Sequence, residues 1–243
     1  MSLRAALILA AIVFLITLLV RLPARALLPL LPADVSCALP GGTVWNGSCD
    51  QLRMGTVGVS SLSWALHPLA LLRLHIAADV NSQDPAANGH ARVELAPNGH
   101  LEISGLSANV ALPGNWALVP AGTSGTLQLA IDAARIQDGH LLALAGKIDL
   151  QSIHLENPAA DLGSFELQFA PVNEGAPMVG QLRDLNGPLA VSGVLQLSRA
   201  GAYDLEGSVA PRPGASADLA QALQLLGPPD AQGQRAFSLA GSL

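Results

Sequence analysis

The sequence is poor in aromatic and in charged residues. Of its 243 residues, 3% are aromatic and 12% are charged, although 50% are hydrophobic. The net charge is −6 and no basic cluster occurs, which excludes the positive surface that nucleic-acid binding requires. The lack of an aromatic cluster argues against carbohydrate binding. A core of small and aliphatic side chains is therefore expected.

The residue patterns that mark enzymes and metal sites are also missing. The six histidines show neither the i, i+4 helical spacing nor the neighbouring carboxylates of metal ligands. The sequence contains no Gly-x-Ser-x-Gly elbow, no phosphate-binding glycine loop and no cysteine nucleophile beside a base. Acidic residues are scattered one per strand, so no general acid–base pair is visible. We expect neither an enzyme nor a bound cofactor or metal.

One long apolar run is present, over residues 5–20, between Arg4 and Arg21. A membrane-spanning helix needs about 20 apolar residues, and the run approaches this length if the arginines reach the interface. Residues 1–22 are therefore predicted to be a cytoplasmic tip and a transmembrane anchor. The alternative is a signal peptide cleaved near residues 24–26. The length of the run and the arginine before the last small residue favour an uncleaved anchor.

The only two cysteines, Cys37 and Cys49, lie shortly after this run. Because disulfides persist in oxidising compartments, a disulfide between them indicates that this part of the chain lies outside the cytosol. The alternative is two unrelated buried thiols. A zinc site is disfavoured because no histidine lies nearby.

Strand patterns dominate the rest of the chain. A Pro-containing, extended linker is predicted at 23–40, and about twelve runs with a period of two follow it. One of them, residues 72–80, places Leu72, Leu74, Ile76, Ala78 and Val80 on one face and Arg73, His75 and Asp79 on the other. Asn-Gly or Asp-Gly pairs at 46–47, 88–89, 98–99, 138–139 and 186–187 favour tight hairpin turns.

Helical patterns are scarce outside the N-terminal run. Residues 216–226 carry leucines at helical spacing after Ser216, a suitable N-cap, and one further turn is predicted at 66–72. The predicted fold is mostly β, with an N-terminal transmembrane helix followed by an antiparallel, meander-like curled sheet. Its apolar face closes as a half-barrel or groove, or as a sandwich. Residues 41–243 are expected to form this β domain.

A motif between the two cysteines and two later segments indicate a family. The motif is Gly-Thr-Val-Trp-Asn-Gly at 42–47, and a Leu-x-Trp-x-Leu-x-Pro-x-x-Leu segment follows at 62–71. Tyr203 opens a C-terminal segment in which Leu-Gly-Pro-Pro-Asp at 226–230 follows a leucine-bearing helix. The chain resembles the type II secretion system protein N family. The residues that carry the resemblance are Gly42, Thr43, Trp45, Asn46, Gly47, Trp64, Pro68, Tyr203 and Gly227.

The resemblance implies a single-pass inner-membrane protein of a Gram-negative bacterium, with most of the chain in the periplasm. It implies an accessory role in exporting folded proteins across the outer membrane, with other secretion components as partners and without enzymatic activity. An alternative also follows from the resemblance. The apolar concavity of a periplasmic β-groove protein would bind or convey lipid acyl chains, if the sheet leaves it open.

Overall fold

The computed structural model describes residues 13–14, 17–30, 35–54, 57–112, 122–156, 159–171 and 176–242. The chain divides into two compact units, residues 1–96 and 97–243. The described residues form thirteen β-strands, one short α-helix and three 3-10 helices, and residues 13–14 and 17–20 are also helical. Within each unit, consecutive strands pair antiparallel. The prediction of a mostly β, antiparallel meander is confirmed.

The N-terminal run is described only in part. No helix within the described ranges is long and apolar enough to cross a membrane. Residues 1–12 and 15–16, which make up most of the predicted anchor, lie outside those ranges. The anchor therefore stays a prediction.

The described residues of the first unit form five strands and two 3-10 helices, besides the helical residues 13–14 and 17–20. Its sheet follows the order of the sequence: β1 (Val35–Gly42), β2 (Asn46–Met54), β3 (Val57–Leu66), β4 (Ile76–Asp84) and β5 (Ala87–Leu95). Helix η1 (Ala24–Leu30) precedes β1, and helix η2 (Pro68–Arg73) connects β3 to β4. Much of the range predicted as an extended linker, 23–40, is therefore 3-10 helix or strand.

The part of the second unit that the structure describes contains eight strands in sequence order, one α-helix and one 3-10 helix. Its strands are β6 (His100–Ala111), β7 (Thr123–Gln137), β8 (His140–Glu156), β9 (Ala159–Phe169), β10 (Met178–Asp184), β11 (Leu189–Leu197), β12 (Ala202–Pro211) and β13 (Arg235–Ser242). Helix α1 (Ala217–Leu223) and helix η3 (Gln224–Leu226) lie between the last two strands. The helix predicted at 216–226 is confirmed.

Helix α1 begins and packs as its sequence indicates. The Ser216 hydroxyl accepts a hydrogen bond from the backbone N–H of Leu219 at 3.2 Å, which satisfies one of the free donors at the helix start. Leu219 and Leu223 are buried against the sheet, in a cluster that also contains Ala160, Leu189 and Val209. The helix thus covers part of the apolar face of the second unit.

Two of the five predicted hairpin turns are wrong. Asn88-Gly89 lies inside β5, and the chain turns instead at Pro85 and Ala86. The Asp84 carboxylate decides this, because it accepts hydrogen bonds from the backbone N–H groups of Ala86, at 2.8 Å, and Ser60. Asn46-Gly47 begins β2, after a turn at Val44 and Trp45. The turns at 98–99, 138–139 and 186–187 are confirmed.

Aromatic rings lie over glycines on neighbouring strands in both units. In four cross-strand pairs a glycine faces an aromatic side chain: Gly47 with Trp64, Gly180 with Phe169, Gly207 with Phe237, and Gly241 with Tyr203. A Cβ atom on any of these glycines would come within 2.3–2.9 Å of the ring. The chain has eight aromatic residues, and four of them cover the space that a glycine leaves on the neighbouring strand.

Candidate functional site: an apolar pocket beside the disulfide

The first unit contains an apolar pocket with a volume of about 380 Å³. Its walls come from helix η1 and strands β1 to β4, and all of the lining residues are apolar. They are Ala24, Leu27, Leu28, Val35, Cys37, Pro40, Cys49, Leu52, Leu62, Trp64, Leu66, Ile76, Ala78 and Val80. The pocket therefore suits a ligand without charge where it contacts the protein.

Alternation along the strands explains how the pocket forms. Ile76, Ala78 and Val80 share one face of β4, as predicted, and this face lines the pocket. On β3, Trp64 and Leu66 lie opposite Val80 and Ala78 of β4. This pairing extends the apolar face across the two strands. Side chains two residues apart point to the same side of a sheet.

The prediction for the start of β4 is wrong. Leu72 belongs to helix η2, and Leu74 takes a left-handed conformation with φ of 60° instead of continuing a strand. The N–H of Leu74 bonds the carbonyls of Ala70 and Leu71, which ends the 3-10 helix. Both leucines are exposed, at 82% and 76%, and do not share the pocket face.

Cys37 and Cys49 form a disulfide between β1 and β2, with 5.8 Å between their Cα atoms. Both line the pocket. Cys49 is 2% exposed and packs with buried Leu52 and Val59 and with partly buried Trp64. The disulfide fixes the first two strands to each other and forms part of the apolar wall.

The motif at 42–47 forms the turn between β1 and β2. Gly42 has a φ of +74°, which favours glycine, and the Thr43 hydroxyl accepts a hydrogen bond from the N–H of Asn46 at 3.1 Å. The N–H of Thr43 bonds the Asn46 carbonyl at 2.9 Å. The ring of Trp64 lies over Gly47. Gly42, Thr43, Trp45, Asn46, Gly47 and Trp64 therefore meet at one tight turn.

This turn also holds the end of the apolar run and the two residues after it. The indole Nε1 of Trp45 donates a hydrogen bond to the carbonyl of Leu19 at 2.8 Å. The N–H of buried Val44 donates to the carbonyl of Leu22 at 2.9 Å. Because backbone atoms of residues 19–22 are the acceptors, the turn fixes the path of the chain between the apolar run and the sheet.

The remaining motif residues have local roles. Pro68 occupies the first turn of helix η2, where a missing N–H costs nothing. In the second unit, the Tyr203 ring covers Gly241. Gly227 ends helix η3 with a φ of +102°, and its carbonyl accepts a hydrogen bond from Arg235.

Two clusters of charged residues are absent from the sequence-based prediction. In the first unit, Asp79 accepts a hydrogen bond from Arg92 Nε at 2.9 Å and lies 2.7 Å from Nε2 of His67. The bond from Arg92, followed by that from His67, lowers the pKa of Asp79. Within the described residues, no group of three or more potential metal ligands is close enough to hold an ion.

The other cluster surrounds Glu166 in the second unit, where the carboxylate side chain is 4% exposed. The only lysine of the chain, Lys147, donates to Glu166 Oε2 at 2.7 Å, and Arg183 forms an ion pair with Oε1. The hydrogen bond from Lys147 lowers the pKa of Glu166, burial opposes this, and Arg183 lowers it further. The bond to Glu166 in turn raises the pKa of Lys147.

Strand register brings this cluster together. Glu166 lies directly opposite Arg183 on β10 and Asp149 on β8. Nineteen residues separate Lys147 from Glu166. No short-range sequence pattern signals such a contact, because it depends on which residues of two long strands face each other.

These features define the class of the protein: it is a mostly β protein whose first hairpin contains a disulfide and bonds the end of an apolar N-terminal run. The chain matches the family described as type II secretion system (T2SS), protein N, over residues 33–238. It belongs to this family and is thus a type II secretion component, which confirms the resemblance noted from the sequence.

Two relatives carry the name type II secretion system protein N. The protein from Aeromonas hydrophila is 29% identical over 231 residues, covering 89% of each chain. The protein from Vibrio cholerae serotype O1 is 26% identical over 241 residues, covering 95% of each chain. No solved structure matches the chain.

Proposed function

We propose that this protein is an accessory inner-membrane component of the type II secretion system that assists the export of folded proteins across the outer membrane. The N-terminal run is its single membrane anchor, and the β units lie in the periplasm. Its role is structural, with other secretion components as its partners and no catalytic step of its own.

The hydrogen bonding between the first hairpin and residues 19–22 is the observation that carries this proposal. Two hydrogen bonds from Val44 and Trp45 tie the end of the apolar run directly to the sheet. The disulfide in the same hairpin supports a periplasmic location, because the bacterial periplasm is oxidising and the cytosol is reducing. The sheet would then be held in a fixed position relative to the anchor at the point where the chain emerges from the membrane.

Deletion of the gene in its own host tests the accessory role. Secreted substrates are expected to accumulate in the periplasm and to decrease in the medium, without complete loss of export. Complementation with the full chain restores secretion. Unchanged export, with substrate levels high enough to load the system, would contradict the role.

Location is tested separately by fractionation and protease treatment. The protein is expected in inner-membrane fractions, with its β units digested in spheroplasts and protected in intact cells. Digestion only after inner-membrane lysis would place the β units in the cytosol and contradict the proposed topology.

A second candidate function, binding of a lipid acyl chain, is favoured by the pocket. Its volume of about 380 Å³ lies within the usual range of roughly 300–1,000 Å³ for ligand pockets. Because no charged side chain lines it, an acyl chain would lie inside and its headgroup outside. Native mass spectrometry of the protein, extracted in mild detergent, is expected to show a bound lipid.

A filled pocket provides the matched test of this second function. Ala78→Trp places an indole in the pocket, whereas Ala38→Trp adds the same group at an exposed position of β1. The bound lipid is expected to be lost only in Ala78→Trp. Lipid retained equally by both variants, or absent from the unmodified protein, would contradict acyl binding.

A further inference from the structure

The segment from Pro68 to Ile76 exposes an unusual amount of apolar surface. Helix η2 has no buried residue. Five large apolar side chains of the segment are exposed: Leu69 at 76%, Leu71 at 43%, Leu72 at 82%, Leu74 at 76% and Ile76 at 47%. Single exposed leucines are common on protein surfaces, but five exposed large apolar residues within nine consecutive positions are typical of a contact site.

The segment Pro68–Ile76, called the leucine loop below, lies at the same end of the first unit as the end of the apolar run. Trp45 connects the two regions. Its carbonyl accepts a hydrogen bond from the N–H of Leu66, two residues before helix η2, at 2.7 Å. Its indole donates to the carbonyl of Leu19 at 2.8 Å. Trp45 thus bonds both the end of β3, just before helix η2, and the end of the apolar run, where residues 18–20 are exposed.

One basic residue lies within the loop. Arg73 is the only arginine, lysine, aspartate or glutamate of residues 66–78, and it is exposed. Leu69, Leu72 and Arg73 border a cavity of about 510 Å³, which Arg92 and Glu94 also line. Because Arg92 is paired with Asp79, Arg73 supplies the positive charge beside the leucines. An apolar segment with a basic group beside it is typical of segments that lie in the membrane interface and contact anionic headgroups.

We propose that the leucine loop is a second membrane contact, which inserts its leucines into the outer surface of the same bilayer that holds the anchor. Its occupant is a lipid surface containing anionic headgroups. Arg73 lies beside those headgroups while Leu69, Leu72 and Leu74 enter the acyl boundary. The inference rests on the proposed membrane anchor and adds a fixed orientation of the first unit on the membrane.

Depth-dependent fluorescence quenching tests the contact in the full chain. The protein is reconstituted in nanodiscs of phosphatidylethanolamine and phosphatidylglycerol, with or without a doxyl-labelled lipid. A bimane label is placed at Leu72→Cys, at Val20→Cys at the end of the apolar run, or at Ala86→Cys. Ala86 is an exposed residue of the β4–β5 turn, at the opposite end of the sheet. Native Cys37 and Cys49 are joined in the disulfide and do not react.

Quenching at Leu72 and Val20, with none at Ala86, is the expected result. Quenching at Val20 while Leu72 resembles Ala86 overturns the loop contact and leaves the anchor standing. This is also the result expected if the loop binds a protein. Absence of quenching at Val20 would contradict the proposed anchor. The presence or absence of quenching at Leu72 would then test the loop contact by itself. Equal quenching at all three sites overturns the proposed orientation.

The role of Arg73 is tested by charge reversal in the Leu72→Cys protein. Arg73→Glu is expected to reduce quenching in anionic nanodiscs and to change it little in nanodiscs of phosphatidylcholine alone. Arg53→Glu, an exposed position near the far end of β2, alters net charge equally and is expected to leave quenching unchanged. Equal effects of the two substitutions would overturn the headgroup contact.

Discussion

The indole ring of Trp64 lies over Gly47 on the neighbouring strand, and its Nε1 donates a hydrogen bond to the carbonyl of Val44 at 3.0 Å. One side chain thereby packs on the turn between β1 and β2, bonds it and lines the apolar pocket. Trp64 and Gly47 belong to separate segments of the family motif. Their contact joins the two segments in the fold.

Substitution of Gly47 tests this packing. A Cβ atom at Gly47 would lie 2.3 Å from Cζ2 of Trp64, so Gly47→Ala forces the ring away from the strand. We expect a loss of about 1–3 kcal/mol in the free energy of unfolding, measured by denaturant titration. Gly58→Ala is the control on β3, because no atom lies within 4 Å of the added methyl group. A loss at Gly58 as large as that at Gly47 would contradict the explanation.

Loss of the disulfide is expected to destabilise the first unit. The two cysteines are 12 residues apart, and a loop of about this size contributes roughly 3 kcal/mol in the chain-entropy model. The unfolding midpoint of the first unit should therefore fall when reductant is added. The Cys37→Ser/Cys49→Ser variant should begin at the lower midpoint and not respond to reductant. A midpoint of the native chain that ignores reductant would refute this expectation.

The cluster around Glu166 predicts a loss of stability in acid. Because the folded-state pKa of Glu166 lies below its ordinary value of 4.5, the ionised carboxylate stabilises the fold at higher pH. This stabilisation is lost as the pH falls below about 4.5 and through the lowered folded-state pKa. Glu166→Gln should cost about 1–3 kcal/mol at neutral pH, and the difference from the native chain should shrink in acid.

An exposed glutamate of the same unit provides the control for this measurement. Glu206 on β12 is exposed, and Glu206→Gln should change neither the stability at neutral pH nor its fall in acid. Unfolding of the three proteins is compared across the pH range. A Glu166→Gln protein that loses stability in acid as steeply as the native chain would exclude Glu166 as the cause.

The N-cap of helix α1 gives a prediction for the second unit. Ser216→Ala removes the acceptor for the Leu219 N–H, and about 1 kcal/mol of stability should be lost. Ser216→Asp keeps an acceptor and should restore most of it, whereas Ser238→Ala, at an exposed position of β13, should have little effect. Equal stability of the Ser216→Ala protein and the native chain would show that the cap does not hold the helix.

Local patterns in the sequence predicted much of the fold. Alternation on β4 placed Ile76, Ala78 and Val80 on one apolar face, and Ser216 with its spaced leucines marked helix α1. Both features depend on residues a few positions apart, which the sequence shows directly. The family motif likewise led to the correct family, although not to the contact between Gly47 and Trp64.

Errors occurred where a distant residue competed with a local pattern. Asn88-Gly89 is a good hairpin sequence, but the Asp84 carboxylate holds the turn earlier by bonding Ser60 on β3. Leu72 and Leu74 continue the strand alternation, yet Leu72 lies in helix η2 and Leu74 caps its end. Their exposure is invisible to periodicity, because an alternating pattern indicates a buried face without showing whether any element covers it.

By itself, the sequence determined an antiparallel β protein, its family, and the position of its cysteines after an apolar run. The sequence also predicted the pairing of Cys37 with Cys49, its only two cysteines. Only the tertiary structure decided which other side chains meet: Trp64 with Gly47, and Lys147 with Glu166. These pairs depend on strand register, which is fixed by the packing of whole strands and shifts every contact when it slips by one residue. The apolar pocket and the exposed leucine loop arise in the same way, from how elements are placed.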